Sequence, residues 1–252
     1  GSVSWTRNTL NRGLFPSAGS SQRASFNITT PNSEVNFFKL TTDAKWYFPL
    51  SRSQRWTVLA RLRLGYGNGY GNENGLEQIL PFNENFTAGC PYTLRGFENN
   101  TVGPRGVQLI RSGFINTPTG VPVLGSPDTN SIRLSNRSLG GNAMALGGLE
   151  LIVPTPFVSE EFDNSVRTSI FYDVGNVWDT EFQYDLYKDL ATTSDSDAIS
   201  DYSDWKQYRS SGGVSVQWIS PMGPMVFSFS RALKERDGDD AKFFTFNIGS
   251  TF

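Results

Sequence analysis

Polar and apolar residues alternate along most of this chain with a period of two. In "RWTVLARLRLGYG", residues 55–67, one face carries Trp56, Val58, Ala60, Leu62, Leu64 and Tyr66. The other carries Arg55, Thr57, Leu59, Arg61, Arg63 and Gly65. A helix would scatter these residues over its circumference, whereas a strand sorts them onto two faces. "FFKLTTDAKWYF", residues 37–48, behaves in the same way. So does the closing run, where Phe244, Phe246, Ile248, Ser250 and Phe252 oppose Phe243, Thr245, Asn247, Gly249 and Thr251. The alternation predicts roughly nine strands, near 2–9, 20–30, 36–48, 55–67, 141–153, 164–177, 209–219, 223–233 and 242–252.

Most of these runs exceed the ~5–6 residues of a common strand. They match the ~9–11 residues with which a tilted strand crosses a bilayer. Aromatic residues gather near strand ends (Trp46, Phe48, Trp56, Tyr66, Trp178, Trp218 and Phe252), as in the interfacial girdles of membrane barrels. "SRSQ" (51–54) and "SPMG" (220–223) read as tight turns, while the gaps 68–140 and 178–208 are long. Short turns at one end and long loops at the other are a barrel asymmetry, although the short 31–35 turn falls on the long side. A soluble sandwich also alternates, but here one face holds full charges in mid-strand and the other is rich in aromatics. The expected fold is therefore all-β, an antiparallel transmembrane β-barrel. Nine strands alone would leave unpaired edges that lipid does not tolerate. The expectation is that residues 1–252 form the C-terminal portion of a larger barrel or pair with another chain.

Composition narrows the chemistry. Net charge is −2, which offers no electrostatic case for nucleic acid. Mean hydropathy is −0.36, and no run approaches the ~20 apolar residues of a spanning helix. Histidine is absent, which removes Ser-His-Asp and Cys-His catalysis and most zinc sites. Cys90 is the single cysteine, so no intrachain disulfide forms. "GYGNGYGNENG" (65–75) lacks the lysine and the following helix of a phosphate loop. "DGDD" (237–240) lacks EF-hand spacing and reads as the turn between the last two strands. No metal or cofactor is expected.

The long gap 68–140 carries "YTLRGFENN", residues 92–100. A loop of this length is functional or disordered. Alternation in "NAMALGGLELIV" and "SVRTSIFYDVGNVW" turns Glu150, Asp173 and Gly175 to the inner face. The gap begins and ends beside the strands that hold them. Folded inward, Arg95 would meet Glu150 and Asp173 with a planar fork of donors suited to carboxylates. Gly96 would allow a tight turn, and Phe97 would supply an apolar contact. Spacing alone leaves a second reading open, in which Arg95 is solvated and the two acids pair with Arg61, Arg63 or Arg167.

"LRGF" with "NNTVGP", "GGNAMALGGLELIVPTPF", "SVRTSIFYDVGNVWDT", "WISPMGPMVFSFS" and the closing "FNIGSTF" occur here in that order. With "WTRNTLNRGLFP" and "YFPLSRSQRWTVLARLRLGYG", they resemble the BamA family, the barrel subunits of the bacterial outer-membrane protein assembly machine. The resemblance spans nearly the whole chain; loops 106–140 and 181–206 carry little of it. It implies a sixteen-stranded outer-membrane barrel preceded by periplasmic POTRA domains, of which this chain supplies the last nine strands. It implies that the loop 68–140 plugs the lumen through Leu94, Arg95, Gly96 and Phe97, with the arginine on Glu150 and Asp173. It implies a lateral opening between the first and last strands, the last carrying Phe246, Ile248, Gly249 at a kink, and Phe252. The function implied is assistance to the folding and insertion of barrel proteins by edge-strand pairing, without ATP and without catalysis. The partners implied are unfolded barrel clients, the lipid bilayer and, through the POTRA domains, the machine's lipoproteins. Two-partner secretion transporters and autotransporter assembly factors share the RGF loop and the inward acid, and stand as the alternative. Leu94 departs mildly from the valine of many members, Cys90 stands where small residues are common, and Ser250 interrupts the apolar face.

Overall fold

Long alternating runs become the wall of one antiparallel sheet. The computed structural model describes residues 1–30, 33, 35–73, 76–90, 93–111, 114–116, 122–124, 127–155, 165–185 and 199–249. The first strands are β1 (Ser2–Asn8), β2 (Gly19–Ile28), β3 (Phe37–Pro49) and β4 (Thr57–Gly69). Short strands follow inside the long connection: β5 (Asn72–Glu73), β6 (Leu76–Glu77), β7 (Arg105–Arg111), β8 (Phe114–Asn116), β9 (Pro122–Leu124) and β10 (Pro127–Ser138). The wall resumes with β11 (Ala143–Val153), β12 (Val166–Trp178), β13 (Arg209–Ser220), β14 (Gly223–Lys234) and β15 (Phe244–Ile248). Its nine strands run β1-β2-β3-β4-β11-β12-β13-β14-β15, with β1 and β15 at its edges. The sheet is not closed on itself.

The pleat explains the burial. On β11, Leu149 is 57% exposed while its neighbour Glu150 is buried. Leu62, Leu64, Tyr66, Ile170, Tyr172, Phe244 and Phe246 are likewise exposed on the outer face, whereas Leu59, Phe171, Asp173, Ser211 and Thr245 are buried on the inner one. An apolar band of this extent exceeds what a water-soluble surface ordinarily carries and matches the lipid-facing side of a membrane barrel. The β3–β4 and β13–β14 connections are tight and lie at one end of the sheet. Those joining β4 to β11 and β12 to β13 are long and lie at the opposite end.

Two features differ from the alternation. The 68–140 connection is not a bare loop, because β7 and β10 pair into a ribbon. Register shifts between Pro127 and Ile132 and between Leu134 and Ser138 break the two-residue period by which strands are recognised. Val107 and Leu134 of this ribbon pack on Ile199, Tyr202 and Phe182 from the β12–β13 connection. The last strand also starts later than the expected residue 242: it is described over Phe244–Ile248, and Gly249 after it adopts φ +94°. Phe252 lies outside the described residues.

Candidate functional site

Residues 86–90 and 93–102 lie against the inner face of the wall. Isolated bridges tie Phe86 to Gly141, Ala88 to Val102 and Phe97 to Ala241. Phe86, Ala88, Leu94, Phe97 and Val102 form an apolar cluster with Met144 and Leu146 of β11 and Val177 of β12, with Ala232 of β14 packed against it. Leu94 and Phe97 are fully buried. Each such side chain contributes about 1.5–3 kcal/mol relative to exposure, so plug and wall are joined by a shared apolar core.

Beside this cluster sits a buried charge quartet. Arg95 Nε donates to Asp173 Oδ2 at 2.7 Å and Nη2 to Oδ1 at 2.9 Å, a two-pronged pairing. Arg95 Nη1 lies 3.1 Å from Glu150 Oε2. Arg61 reaches Asp173 Oδ1 at 2.8 Å and stands 4.0 Å from Glu150. Ser169 donates its hydroxyl to Glu150. The Arg95 guanidinium also lies 3.5 Å from the Phe171 ring centre, a cation–π contact. Two guanidiniums thus face two carboxylates, and Arg95, Glu150 and Asp173 are each about 1% exposed. Burial alone would lower the pKa of Arg95, but the facing Glu150 and Asp173 more than offset it and raise it above the ordinary guanidinium value.

The turn that aims this arginine needs Gly96. Its φ is +91°, and a Cβ there would stand 2.9 Å from Ser211 Cβ. The Ser211 hydroxyl donates to the Arg95 carbonyl. Gly96→Ala therefore combines backbone strain with a clash, and is expected to weaken plug docking by about 1–3 kcal/mol. Limited proteolysis of segment 86–102 in lipid checks this; a cleavage rate equal to that of the unaltered protein would contradict it.

The structure brings Arg95, Gly96, Phe97 and Leu94 together with Glu150 and Asp173. Gly175 reaches the plug only indirectly. A Cβ there would overlap β11 at Ala145 and Leu146, so the glycine leaves room for Leu146 under Phe97. Phe246 and Ile248 lie apart from the plug, exposed on the outer face of the edge strand. Gly249 follows them, its N–H bonded to the Pro224 carbonyl at 2.8 Å.

A model of the Omp85 superfamily domain matches residues 1–252. The chain belongs to the Omp85 superfamily. It is 30% identical, over its whole length, to the outer membrane protein assembly factor BamA of Neisseria meningitidis serogroup B, and spans 28% of that protein. It is 29% identical over 63% of its length to the BamA of Neorickettsia risticii, 16% of that protein. The crystal structure of BamA from Haemophilus ducreyi lacking POTRA domains 1–3 superposes with a TM-score of 0.79 and 34% identity, over 100% of this chain and 42% of that one. This chain thus spans less than half the length of each of these relatives.

Within this Omp85 wall, several residues of the site carried little signal. Gly148 opposes Asp173 across the β11–β12 ladder, and a Cβ on it would stand 2.7 Å from Asp173 Oδ1 and 3.1 Å from Arg61 Nη2. Its absent side chain makes room for the ion pair; a glycine inside a strand was the available signal. Arg61 joins the quartet, as the second reading of the spacing allowed, while Arg63 pairs with Asp43 and Arg167 donates to the Pro16 carbonyl. Ser169 and Ser211 gave no signal, because serine on an inner strand face is ordinary.

Proposed function

We propose that this chain is the C-terminal barrel portion of an outer-membrane protein assembly factor. It resides in the bacterial outer membrane and assists the folding and insertion of unfolded β-barrel clients. The observation that carries this reading is an edge strand, β15, followed by the left-handed Gly249 and backed by a plug pinned to the inner wall. An edge strand offers unpaired backbone donors and acceptors, to which an incoming strand adds by hydrogen bonding. A left-handed break at Gly249 would also interrupt the apolar band at that seam and lower the cost of disturbing the bilayer. Neither step needs ATP, a cofactor or a catalytic group. The similarity to proteins named as assembly factors supports the same reading. Lipoprotein partners would attach through POTRA domains preceding this region.

The test is insertion of a urea-unfolded barrel client into liposomes carrying the protein at its full natural length. Clients are expected to become heat-stable and protease-resistant faster than in liposomes that carry an unrelated porin. Equal rates, with a steady pore conductance, would make the chain a passive channel instead.

A further inference from the structure

The plug touches more than the quartet. One residue beyond Arg95, its backbone pairs with the segment leading into β15. The Glu98 N–H donates to the Asp240 carbonyl at 2.8 Å, and the Lys242 N–H donates to the Gly96 carbonyl at 2.9 Å. Between them lies the antiparallel bridge Phe97–Ala241. The Lys242 ammonium sits 2.7 Å from the Glu98 carboxylate and, by hydrogen bonding to it, holds that carboxyl below its usual pKa. On β15 itself, the Thr245 hydroxyl donates to Cys90 Sγ at 3.2 Å, and the Cys90 N–H closes the plug's own turn on the Phe97 carbonyl at 2.9 Å. Ser230 of β14 donates to the Lys242 carbonyl at 3.1 Å, which fixes the same segment from the wall side.

We propose that the plug is also the latch of the terminal strand: residues 96–98 add a strand-like edge to the β14–β15 hairpin, so β15 is held while the plug is docked and released when it undocks. This rests on the reading of β15 as the client-facing seam. Among the described residues the β14–β15 ladder has five register pairs, from Met225–Ile248 to Phe229–Phe244, where β11–β12 has eleven. A ladder this short gains proportionally more from extra anchorage. The anchor is mostly backbone, since the exposed Lys242–Glu98 pair is worth little by itself. Arg95 is bonded directly to the paired segment 96–98, with no spacer that would let one end move independently. Plug docking on β11–β12 and the order of β15 are therefore two readouts of one equilibrium, and their coupling is reciprocal.

Amide exchange on the full-length protein in liposomes tests this. In Arg95→Ala, the Phe244–Ile248 amides are expected to exchange up to about a hundredfold faster, in step with the open plug, with β2–β3 amides unchanged. Unchanged exchange over 244–248, in a variant whose segment 86–102 has become protease-sensitive, overturns the latch. Should that variant fail to fold, Thr245→Cys places a thiol beside Cys90, and oxidation ties the plug to β15. Client insertion is expected to fall about tenfold when oxidised and to recover on reduction. Equal rates in the two forms overturn the proposal. If the unaltered protein inserts no client at all, the assembly reading fails, while the exchange comparison still decides the latch.

Discussion

Arg95→Ala is expected to release the plug. Asp173 loses its two-pronged partner and Glu150 loses the guanidinium 3.1 Å away, and both carboxylates are buried. Breaking a buried pair from one side ordinarily costs about 3–5 kcal/mol, because a charge is left uncompensated. Here Arg61 stays on Asp173 at 2.8 Å and Ser169 stays on Glu150, so the cost falls near the lower end of that range. About 3 kcal/mol raises the open population roughly a hundredfold, and proteolysis of a rapidly opening segment follows that population. Cleavage within 86–102 should accelerate to match. Arg95→Lys should fall between, since an ammonium cannot form the planar double contact. In a double-mutant cycle with Asp173→Ala, a coupling of about 1 kcal/mol or more is expected. Strict additivity would mean that the guanidinium is held by something other than this carboxylate.

Phe97→Ala should open the plug by a different force. The ring is fully buried among Leu94, Val102, Met144, Leu146 and Val177, on both the plug and the wall. Truncating a buried phenylalanine removes apolar burial and leaves a cavity, together worth about 3–5 kcal/mol. The ladders from β1 to β14 do not depend on this contact, so the loss should appear as plug cleavage with those strands intact. Phe97→Leu fills most of the volume and should cost less than half as much, about 1–1.5 kcal/mol. Salt separates the two mechanisms, because charge contacts opened to solvent are screened and apolar ones are not. A Phe97→Ala protein whose segment 86–102 remains as resistant as before would show that the plug is held by charge alone.

The wall was legible because its physics is local. In a strand, the face of each side chain follows from its parity, and a bilayer outside with a packed interior inside demands opposite chemistries on the two faces. "RWTVLARLRLGYG" and "NAMALGGLELIV" therefore announce both their conformation and their inner residues, and Glu150 and Asp173 are buried where parity places them. The β7–β10 ribbon was missed because its bulges destroy the parity. Alternation reads Gly249 as an ordinary member of its run; the family likeness alone pointed to a kink there, where its φ is +94°.

By itself, the sequence determined the nine strands, their order along the chain, the face each side chain takes, and a short list of charges able to meet inside. Family likeness of the RGF stretch added the expectation of a plug. Only the tertiary structure decided which charges meet. Arg61 and Arg95 share Asp173, Arg63 turns to Asp43, and Arg167 turns to a backbone carbonyl, although all but Arg95 have the same parity on the wall. The choice depends on the stagger of adjacent strands and on a vacancy at Gly148 beside Asp173, and neither is encoded in a two-residue period. The contact between Gly96–Glu98 and Asp240–Lys242 lies further still beyond sequence patterning. It is made by backbone groups, which every residue but proline carries alike, and only the folded path of the chain brings them within hydrogen-bonding distance.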